Sequence, residues 1–224
     1  MRYLKNMQAF SKEENELFRN KSVAVIGCGG LGGYIIEMLA RLGIGNITVV
    51  DGDVFNETNL NRQLYSSPNV IGKNKALIAK NRIIKINPDI NVCCFKEMLD
   101  EKNAKIILEK VDLVIDALDN LEGRFLIQQK AKKFQIAFIH GAVSGWYGQV
   151  STILPGDDSL YRIYPEGINT KINDFLGNPS FMPTMIAAIQ VAEAAKVLTN
   201  KGHILRNELA LIDLLEQTYT VLDI

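Results

Sequence analysis

A glycine-rich loop between an apolar strand and a helix is the feature that most constrains this fold. The run VAVIG (23–27) is continuous and rich in β-branched residues, as in a strand buried on both faces of a parallel sheet. The segment GCGGLGG (27–33) follows, and YIIEMLARLGI (34–44) has helical apolar spacing. A second buried strand, ITVVDGD (47–53), completes a βαβ unit of about 30 residues. This order predicts an α/β sheet with a ligand site at the ends of its strands.

The glycines of the loop have the spacing that binds phosphates. Gly27, Gly29 and Gly32 satisfy G-x-G-x-x-G, in which glycine lets the backbone turn tightly and approach a phosphate at the positive helix N-terminus. Asp51 ends the second strand, where a carboxylate can bind ribose hydroxyls. The pattern predicts a nucleotide and leaves NAD, FAD and ATP open. Glycines that serve only tight packing are the alternative.

Apolar strands and amphipathic helices keep alternating up to residue 141, which predicts a Rossmann-like, doubly wound and mostly parallel sheet. A short polar helix over 11–20 comes first, with Ser11 and Glu14 as a capping box. The later helices are predicted at 73–85, 101–109 and 122–134, and the later strands at 90–95, 111–118 and 136–141.

The pattern beyond residue 141 predicts antiparallel strands that extend the sheet. Residues 148–155 alternate at period two, and 208–214 with 217–223 are typical of a closing hairpin. Residues 156–182 show little periodicity and predict a long irregular crossover, after which Pro183 opens a helix.

No linker or repeat divides the chain, so we expect a single domain over 1–224. Its parts would be an N-terminal arm and helix (1–22), a nucleotide-binding core (23–141) and a C-terminal part (142–224). Trp146 and Tyr147 are predicted to pack in the core.

The composition argues against several function classes. Lys plus Arg number 25 and Asp plus Glu number 25, so the formal net charge of zero disfavours a protein that coats nucleic acid or anionic membranes. No run of about 18 apolar residues predicts a membrane span. The three cysteines, Cys28, Cys93 and Cys94, form neither a disulfide framework nor a four-cysteine zinc site. We therefore expect a cytoplasmic protein with no nucleic-acid or membrane partner.

Charged residues beyond the second strand favour a triphosphate over a dinucleotide. The pyrophosphate of a dinucleotide needs only the helix N-terminus, whereas Arg62 can bind two phosphate oxygens at once and Lys75 adds a point charge. Asp119, at the end of the fourth strand, can hold Mg²⁺ across the phosphates. Solvated surface charge is the alternative for Arg62 or Lys75 taken singly.

Five motifs in order resemble the ThiF/MoeB/HesA adenylyltransferases, relatives of the ubiquitin-activating enzymes. The resemblance covers residues 1–154 approximately and resumes at 183–198. The motifs are the glycine loop, D-x-D with N-x-x-R-Q (51–63), G-x-x-K (72–75), INPDI (86–90) and D-x-x-D-N-x-x-x-R (116–124).

The resemblance implies a role for each matching position. Arg62, Lys75 and Asp119 would be catalytic, with Asp119 as the Mg²⁺ ligand. The nucleotide-binding set would be Gly27, Gly29, Gly30, Gly32, Asp51, Asp53, Asn59, Gln63, Asn120 and Arg124. In this family an N-terminal Arg-Tyr-x-Arg-Gln segment reaches into the active site of the partner in a homodimer. Here the segment is Arg-Tyr-Leu-Lys-Asn (2–6), so Lys5 replaces the second arginine.

The implied reaction is attack by the C-terminal carboxylate of a small, ubiquitin-like sulfur-carrier protein ending in Gly-Gly on the α-phosphate of ATP. The products are an acyl-adenylate and pyrophosphate. Many family members hold a structural zinc with two C-x-x-C pairs, and this chain has neither pair. Segment 156–182 also lacks the cysteine through which some relatives form a covalent intermediate. We therefore expect adenylylation that uses ATP and Mg²⁺, without zinc or covalent transfer.

Other functions fit parts of the sequence. Within the same superfamily, a dehydratase that modifies threonylcarbamoyladenosine in tRNA, or an enzyme that activates the terminus of a ribosomal peptide, would use the same nucleotide site. An NAD-binding oxidoreductase is disfavoured, since no Tyr-x-x-x-Lys or catalytic His/Asp pair is evident. A dead binding scaffold is disfavoured by Arg62, Lys75 and Asp119 occurring together. For His140, a packed or capping role is favoured over ligand contact.

Overall fold

The computed structural model describes residues 2–166 and 176–224, and the strands within them form one sheet. The strands are β1 (Ser22–Ile26), β2 (Asn46–Val50), β3 (Asn91–Phe95), β4 (Leu113–Asp116), β5 (Ala137–Ser144), β6 (Tyr147–Ile153), β7 (Glu208–Asp213) and β8 (Thr218–Asp223). Their order across the sheet is β3-β2-β1-β4-β5-β6-β7-β8.

The strands change direction half-way across the sheet. β3, β2, β1, β4 and β5 are parallel, and Val25 of β1 pairs with Val49 of β2 and Ile115 of β4. β6, β7 and β8 are antiparallel additions. The predicted fold class, a doubly wound and mostly parallel sheet with antiparallel C-terminal strands, is confirmed.

Helices cover both faces of the sheet. The helices are α1 (Lys12–Arg19), α2 (Gly30–Leu42), α3 (Lys75–Ile86), α4 (Ala104–Leu108), α5 (Leu121–Phe134), α6 (Ser159–Ile163) and α7 (Phe181–Thr199). One apolar core lies under α1, α2, α3 and α7, and a smaller one lies under α4, α5 and α6. Because both faces are covered, β1 and β4 are buried along their length, as their continuous apolar runs predict.

Two boundaries differ from the prediction in ways that affect the site. α2 begins at Gly30 rather than at residue 34, so the second half of the glycine loop is the first turn of the helix. The segment predicted as irregular, 156–182, contains the short helix α6, and α7 starts two residues before Pro183. Periodicity cannot reveal a five-residue helix, since it spans little more than one turn. The middle of that segment, 167–175, lies outside the described residues.

α7 is apolar enough, over enough residues, to meet the length and composition criteria for a membrane span, which the sequence prediction did not expect. In this fold it packs against α2 and against β5 and β6, and more than half of its apolar window is buried. Burial in the core accounts for its hydrophobicity.

Trp146 and Tyr147 are not core residues, so that prediction is wrong. They lie at the β5–β6 turn, where they are 42% and 45% exposed. Trp146 instead packs on Phe181 at the start of α7, with ring centroids 4.5 Å apart.

Candidate active site

The glycine loop lies at the switch point of the sheet, where β1 has β2 on one side and β4 on the other. Gly27 has a φ of +101°, and a Cβ there would lie 2.5 Å from the carbonyl oxygen of Ala117, which follows β4. A Cβ on Gly32 would lie 1.9 Å from the carbonyl oxygen of Gly27. Side chains at either position would push the loop, the helix and the strand end apart, so the close backbone approach requires glycine.

Asp51 holds the loop from the end of β2. Its two carboxylate oxygens accept hydrogen bonds from the backbone N–H groups of Cys28 (2.7 Å) and Asp53 (2.8 Å). Burial raises the pKa of the Asp51 carboxyl, and these two N–H groups act against that rise. Each oxygen keeps a lone pair for a ligand, so one side chain can both shape the loop and bind a ribose hydroxyl.

A cavity of about 370 Å³ opens above this loop. Ten of the predicted site residues line it, namely Gly27, Gly29, Gly30, Asp51, Asp53, Arg62, Gln63, Lys75, Asp119 and Arg124. Gly32, Asn59, Asn120 and Lys5 are predicted site residues that do not line it. The structure therefore brings together residues that are up to 97 positions apart (124 − 27) in the sequence.

A short loop positions Arg62 and Gln63 at the cavity. The backbone N–H groups of both residues donate to the carbonyl of Asn59, and the buried Asn59 side chain accepts from the N–H of Asn56. Asn59 thus shapes the loop rather than lining the cavity. Arg62 donates to the carbonyl of Thr58 (2.8 Å) and, among the described residues, has no acidic partner within ion-pair distance. Its charge is available to an anionic ligand.

Lys75 is the first residue of α3 and is almost fully buried. Its Nζ lies 3.0 Å from a carboxylate oxygen of the exposed Asp53. Asn74 caps α3 and donates to the backbone carbonyls of Asp51 and Asp53, so the helix start is tied to the end of β2. The pairing holds the ammonium at the cavity wall, close to where Asp51 would hold a ribose.

Asp119 lies exposed at the edge of the cavity, with Asn120 beside it as the N-cap of α5. The side-chain Oδ1 of Asn120 accepts from the backbone N–H of Gly123, so this side chain caps the start of α5. Asn120 lines a neighbouring groove and not the cavity. Among residues 2–166 and 176–224, no three His, Cys, Asp or Glu side chains form a group that could hold a metal by themselves. A single carboxylate suits Mg²⁺ that is bound mainly through phosphate oxygens, because Mg²⁺ keeps its waters and takes one or two protein carboxylates.

Beneath the cavity floor lies a buried ring of contacts that sequence reasoning missed. Asp116, at the end of β4, accepts from His140 Nδ1 (2.8 Å) and forms an ion pair with Arg124 Nε (3.2 Å). Arg124 Nη1 in turn donates to the hydroxyl of Tyr164 (3.1 Å), which lies 3.2 Å from His140 Nε2. We call these four residues the Arg124 ring. Their side chains join β4, α5, β5 and the end of α6.

The protonation states in the Arg124 ring follow from its geometry. Asp116 only accepts, so His140 carries its proton on Nδ1 and accepts from Tyr164 on Nε2. Burial lowers the pKa of His140, and the hydrogen bond to Asp116 opposes this. Burial also raises the pKa of the Tyr164 hydroxyl, which therefore stays a donor. A His–Asp pair does exist in this chain, but both side chains are fully buried, so it is placed to hold Arg124 and not to react with a substrate.

The N-terminal arm lies against its own chain. Arg2 donates to the carbonyl of Ile86 (2.6 Å), and the Tyr3 hydroxyl accepts from Asn87 (2.8 Å). Lys5 is exposed in a short 3-10 helix. Lys5 does not line the cavity of its own chain.

Another part of the cavity lining comes from parts of the chain that no motif marks. It consists of Ala142, Val143 and Ser144 at the end of β5 together with Gly177, Asn178 and Pro183. The Gly145 N–H donates to the Gly177 carbonyl (3.0 Å), and the Asn61 side chain donates to the Asn178 carbonyl (3.2 Å). Residues 177–178 are thereby held over the cavity from both sides.

Comparison with known proteins shows the family of this chain. The model of the ThiF family matches residues 3–224. The chain belongs to the ThiF family. It is 36% identical over 191 residues to a probable molybdopterin-synthase adenylyltransferase of Porphyra purpurea, covering 83% of this chain and 50% of that protein. It is 33% identical to the SAMP-activating enzyme E1 of Haloferax volcanii, covering 88% of this chain and 74% of that protein.

Other relatives cover more of the fold. The sulfur carrier protein adenylyltransferase of Thermus thermophilus is 32% identical over 222 residues, which are 95% of this chain and 82% of that protein. Among solved structures, E. coli MccB with MccA-N7isoASN has a TM-score of 0.85 at 20% identity, over all of this chain and 71% of that one. The chain thus spans between half and about four fifths of these relatives, and the structural likeness bears on the fold.

The residues that the sequence analysis did not predict differ in whether the sequence carries a signal for them. Asp116 stands in the quoted motif, and a carboxylate that ends an apolar strand needs a buried cationic partner, which is a readable signal. Ser144, Asn178 and Tyr164 carry no signal of that kind, because what places them is the sheet and the turns between its elements.

Proposed function

We propose that this protein uses ATP to adenylylate the C-terminal carboxylate of a small ubiquitin-like sulfur-carrier protein. The observation that carries the proposal is the guanidinium of Arg62, which has no acidic partner among the described residues and shares a cavity with the glycine loop, Lys75 and Asp119. The pyrophosphate of a dinucleotide needs only the helix N-terminus, whereas a triphosphate carries further negative charge that the guanidinium of Arg62 can neutralise. The adenylyltransferase names of several relatives support the same reading.

In this reaction a carboxylate oxygen bonds to the α-phosphorus, and the bond from that phosphorus to the bridging oxygen breaks. Pyrophosphate leaves with the electron pair, and the acyl-adenylate remains. The chain needs no nucleophile of its own, since positioning and charge neutralisation lower the barrier. Asp51 orients the ribose, the backbone of the glycine loop holds the phosphates, and Arg62 and Lys75 neutralise charge on the departing pyrophosphate.

Asp119 would hold Mg²⁺, which when bound neutralises phosphate charge. Arg124 acts indirectly, because Asp116, Tyr164 and the Leu118 carbonyl already engage its guanidinium. In a homodimer, Lys5 of each chain would approach the phosphates of the other. The zinc-free fold and the absence of a covalent enzyme intermediate remain part of the proposal.

ATP–pyrophosphate exchange tests the proposal. The purified protein is incubated with ATP, Mg²⁺, labelled pyrophosphate and each of several ubiquitin-like proteins ending in Gly-Gly. We expect label to enter ATP only when one of these proteins is present, and to be lost when its terminal glycine is removed. Tight NAD binding with no exchange for any protein tested would contradict the proposal. Exchange that needs only a short peptide or a small carboxylate would move the substrate to another class.

A further inference from the structure

The carboxylate of Asp119 has little support from contacts of its own. It is exposed at the edge of the cavity, and among the described residues its one hydrogen bond is a 3.4 Å contact with the side chain of Asn120. Its position therefore depends on the backbone of residues 117–119, which join β4 to the N-cap of α5. We call these three residues the Asp119 loop. A ligand-binding side chain must be held to within about 0.5 Å, so the contacts that fix this loop matter for the site.

On one side the Asp119 loop is tied to the end of β1. The N–H of Ala117 donates to the carbonyl of Ile26 (2.9 Å), in continuation of the sheet. The missing side chain of Gly27 lets the carbonyl of Ala117 approach the glycine loop closely. The first residue of the Asp119 loop is thus fixed by the same backbone that forms the nucleotide site.

The middle residue of the loop, Leu118, is held by side chains of the Arg124 ring. Asp116 Oδ1 accepts from the N–H of Leu118 (2.8 Å), and Arg124 Nη2 donates to its carbonyl (2.6 Å). Both backbone polar groups of the residue before Asp119 are therefore engaged. Arg124 and Asp116 are also paired with each other, with Nε 3.2 Å from Oδ2. The orientation of one guanidinium thus helps to set the position of Asp119.

Tyr164 fixes this guanidinium from the end of α6. Its hydroxyl accepts from Arg124 Nη1 (3.1 Å), and the guanidinium carbon lies 5.6 Å from the centre of its ring. The same hydroxyl accepts from Gln149 Nε2 (2.7 Å) and donates to His140 Nε2 (3.2 Å). With two hydrogen bonds accepted and one donated, it has no capacity left for a ligand. Tyr164 also does not line the cavity, so it can act on a bound nucleotide only through other residues.

We propose that Tyr164 is a positioning residue for the metal site, which holds the Asp119 carboxylate in place for Mg²⁺ through Arg124 and the carbonyl of Leu118. The chain of contacts runs from the end of α6, through a side chain of α5, to the loop after β4. This proposal rests on the proposed function, because it takes Asp119 as the Mg²⁺ ligand. It adds a residue from outside the cavity that sets the affinity for the metal.

The first experiment measures metal affinity without turnover. Mn²⁺, a substitute for Mg²⁺, is titrated into the intact protein saturated with a non-hydrolysable ATP analogue, and the free Mn²⁺ is measured by electron paramagnetic resonance. Tyr164→Phe removes one hydrogen bond that orients Arg124, so we expect the Kd for Mn²⁺ to rise about three- to tenfold. The Kd for the analogue without metal should stay within about twofold of the wild-type value.

Two matched variants separate positioning from a general loss of stability. Tyr161→Phe removes a hydroxyl from the exposed face of α6, and Ile83→Val removes a buried methyl group from α3, away from the Arg124 ring. Both should bind Mn²⁺ like the wild type. A Kd for Mn²⁺ that is unchanged in Tyr164→Phe would overturn the proposal. An equal rise in Ile83→Val would also overturn it, because the effect would then follow from lower stability.

A double-mutant cycle tests the route through Asp119. Asp119→Ala removes the metal ligand, so adding Tyr164→Phe to that variant should change the Kd for Mn²⁺ by less than about 1.5-fold. Equal fold-changes in the presence and absence of the Asp119 carboxylate would show that Tyr164 affects the metal by another route, and would overturn the proposal.

Hydrogen exchange in the ligand-free protein tests the same contacts without metal or nucleotide. We expect the amide of Leu118 to exchange about three- to tenfold faster in Tyr164→Phe than in the wild type and in Ile83→Val. Equal rates would show that the Asp119 loop is held without the Tyr164 hydroxyl, and would overturn the proposal.

The two proposals can fail separately. Faster amide exchange and weaker Mn²⁺ binding in Tyr164→Phe, with no ATP–pyrophosphate exchange for any Gly-Gly protein, would contradict adenylylation and support the positioning role. ATP–pyrophosphate exchange in the wild type, with Mn²⁺ binding and amide exchange unchanged in Tyr164→Phe, would support adenylylation and overturn the positioning role.

Discussion

On the glycine-loop side of the cavity two charged side chains, Asp51 and Lys75, are held by partners within the protein, whereas on the β5 side the buried polar atoms Ser144 Oγ and Asn178 Oδ1 have no partner among the described residues. Asp51 accepts from two backbone N–H groups, and Lys75 is paired with Asp53. Ser144 and Asn178 have no such partner. The first pair of side chains is held in place without a ligand, and the second pair is not.

The two sides also differ in how their residues reach the cavity. The glycine-loop side combines the first βαβ unit and the loop after it with Lys75 at the start of α3 and with Asp119 and Arg124 beyond β4. The β5 side joins the end of a strand to a turn 34 residues later (178 − 144), and α6 and the undescribed segment lie between them.

The largest expected effect is a loss of stability when a side chain is introduced into the glycine loop. Gly32→Ala places a Cβ 1.9 Å from the Gly27 carbonyl, and neither backbone segment can yield without moving β1 or α2. We expect a loss of more than about 3 kcal/mol in the free energy of unfolding, measured by urea titration. Gly30→Ala is the matched control, since its nearest contacts would be 3.8 Å and 3.9 Å away. Equal stability of the two variants would contradict the close-approach argument.

The next effect concerns Asp119, the proposed Mg²⁺ ligand, which supports little of the fold. Its side chain is exposed, and within residues 2–166 and 176–224 its one hydrogen bond is a 3.4 Å contact with Asn120. Asp119→Ala should therefore reduce ATP–pyrophosphate exchange by at least about 100-fold, as for loss of other preorganised electrostatic groups, while the melting temperature stays within a degree or so. Exposed Asp112→Ala, remote from the cavity, is the control for exchange. Full activity in the Asp119 variant would remove it from the metal site.

The contrast between the two sides explains what the sequence could and could not predict. The succession of strands and helices, the glycine loop and the positions of Asp51, Arg62 and Lys75 at the cavity depend on short spacings, which can be read directly from the sequence. Ten of the fourteen predicted site residues line the cavity for this reason. Asn59 and Asn120 have the right motif position, but local hydrogen bonds use their side chains to shape the loop and cap the helix.

The remaining residues are placed by tertiary structure alone. The Arg124 ring joins Asp116, His140 and Tyr164 across gaps of 24 residues each (140 − 116 and 164 − 140). Its geometry depends on β4 and β5 being neighbours and on α6 ending beside them. A periodicity argument does not resolve a helix as short as α6, so the position of Tyr164 had no signal in the sequence.

A smaller effect tests how much the Arg124 ring contributes to the free energy of unfolding. Tyr164→Phe removes the hydroxyl that accepts from Arg124 and from Gln149 (2.7 Å) and that lies against His140. Because Arg124 and His140 stay buried, we expect a loss of about 1–3 kcal/mol in the free energy of unfolding. Tyr161→Phe, on the exposed face of α6, should cost less than about 0.5 kcal/mol. A loss of equal size in both variants would mean that the ring contributes no specific stability.

The smallest effect is a pH dependence that originates in the same ring. The groups that face His140 are Asp116, Arg124 and Tyr164, and burial lowers the pKa of His140 in the native state. Below about pH 6.5 the unfolded chain binds a proton at this histidine that the native chain excludes. Its contribution to stability is therefore complete above that pH and is lost as the pH falls toward the native pKa.

His140→Gln removes the titration while keeping a polar side chain at the position. Between pH 7.5 and 5.5 the free energy of unfolding of the wild type should fall by about 1 kcal/mol more than that of the variant, measured by urea titration at each pH. Parallel pH curves would show that the native state also protonates His140. The cavity would then lie above a charged ring, and Arg124 would be held by Asp116 and Tyr164 in competition with an imidazolium. The charge beneath the cavity would in that case depend on pH, and nucleotide affinity would change over the same pH range.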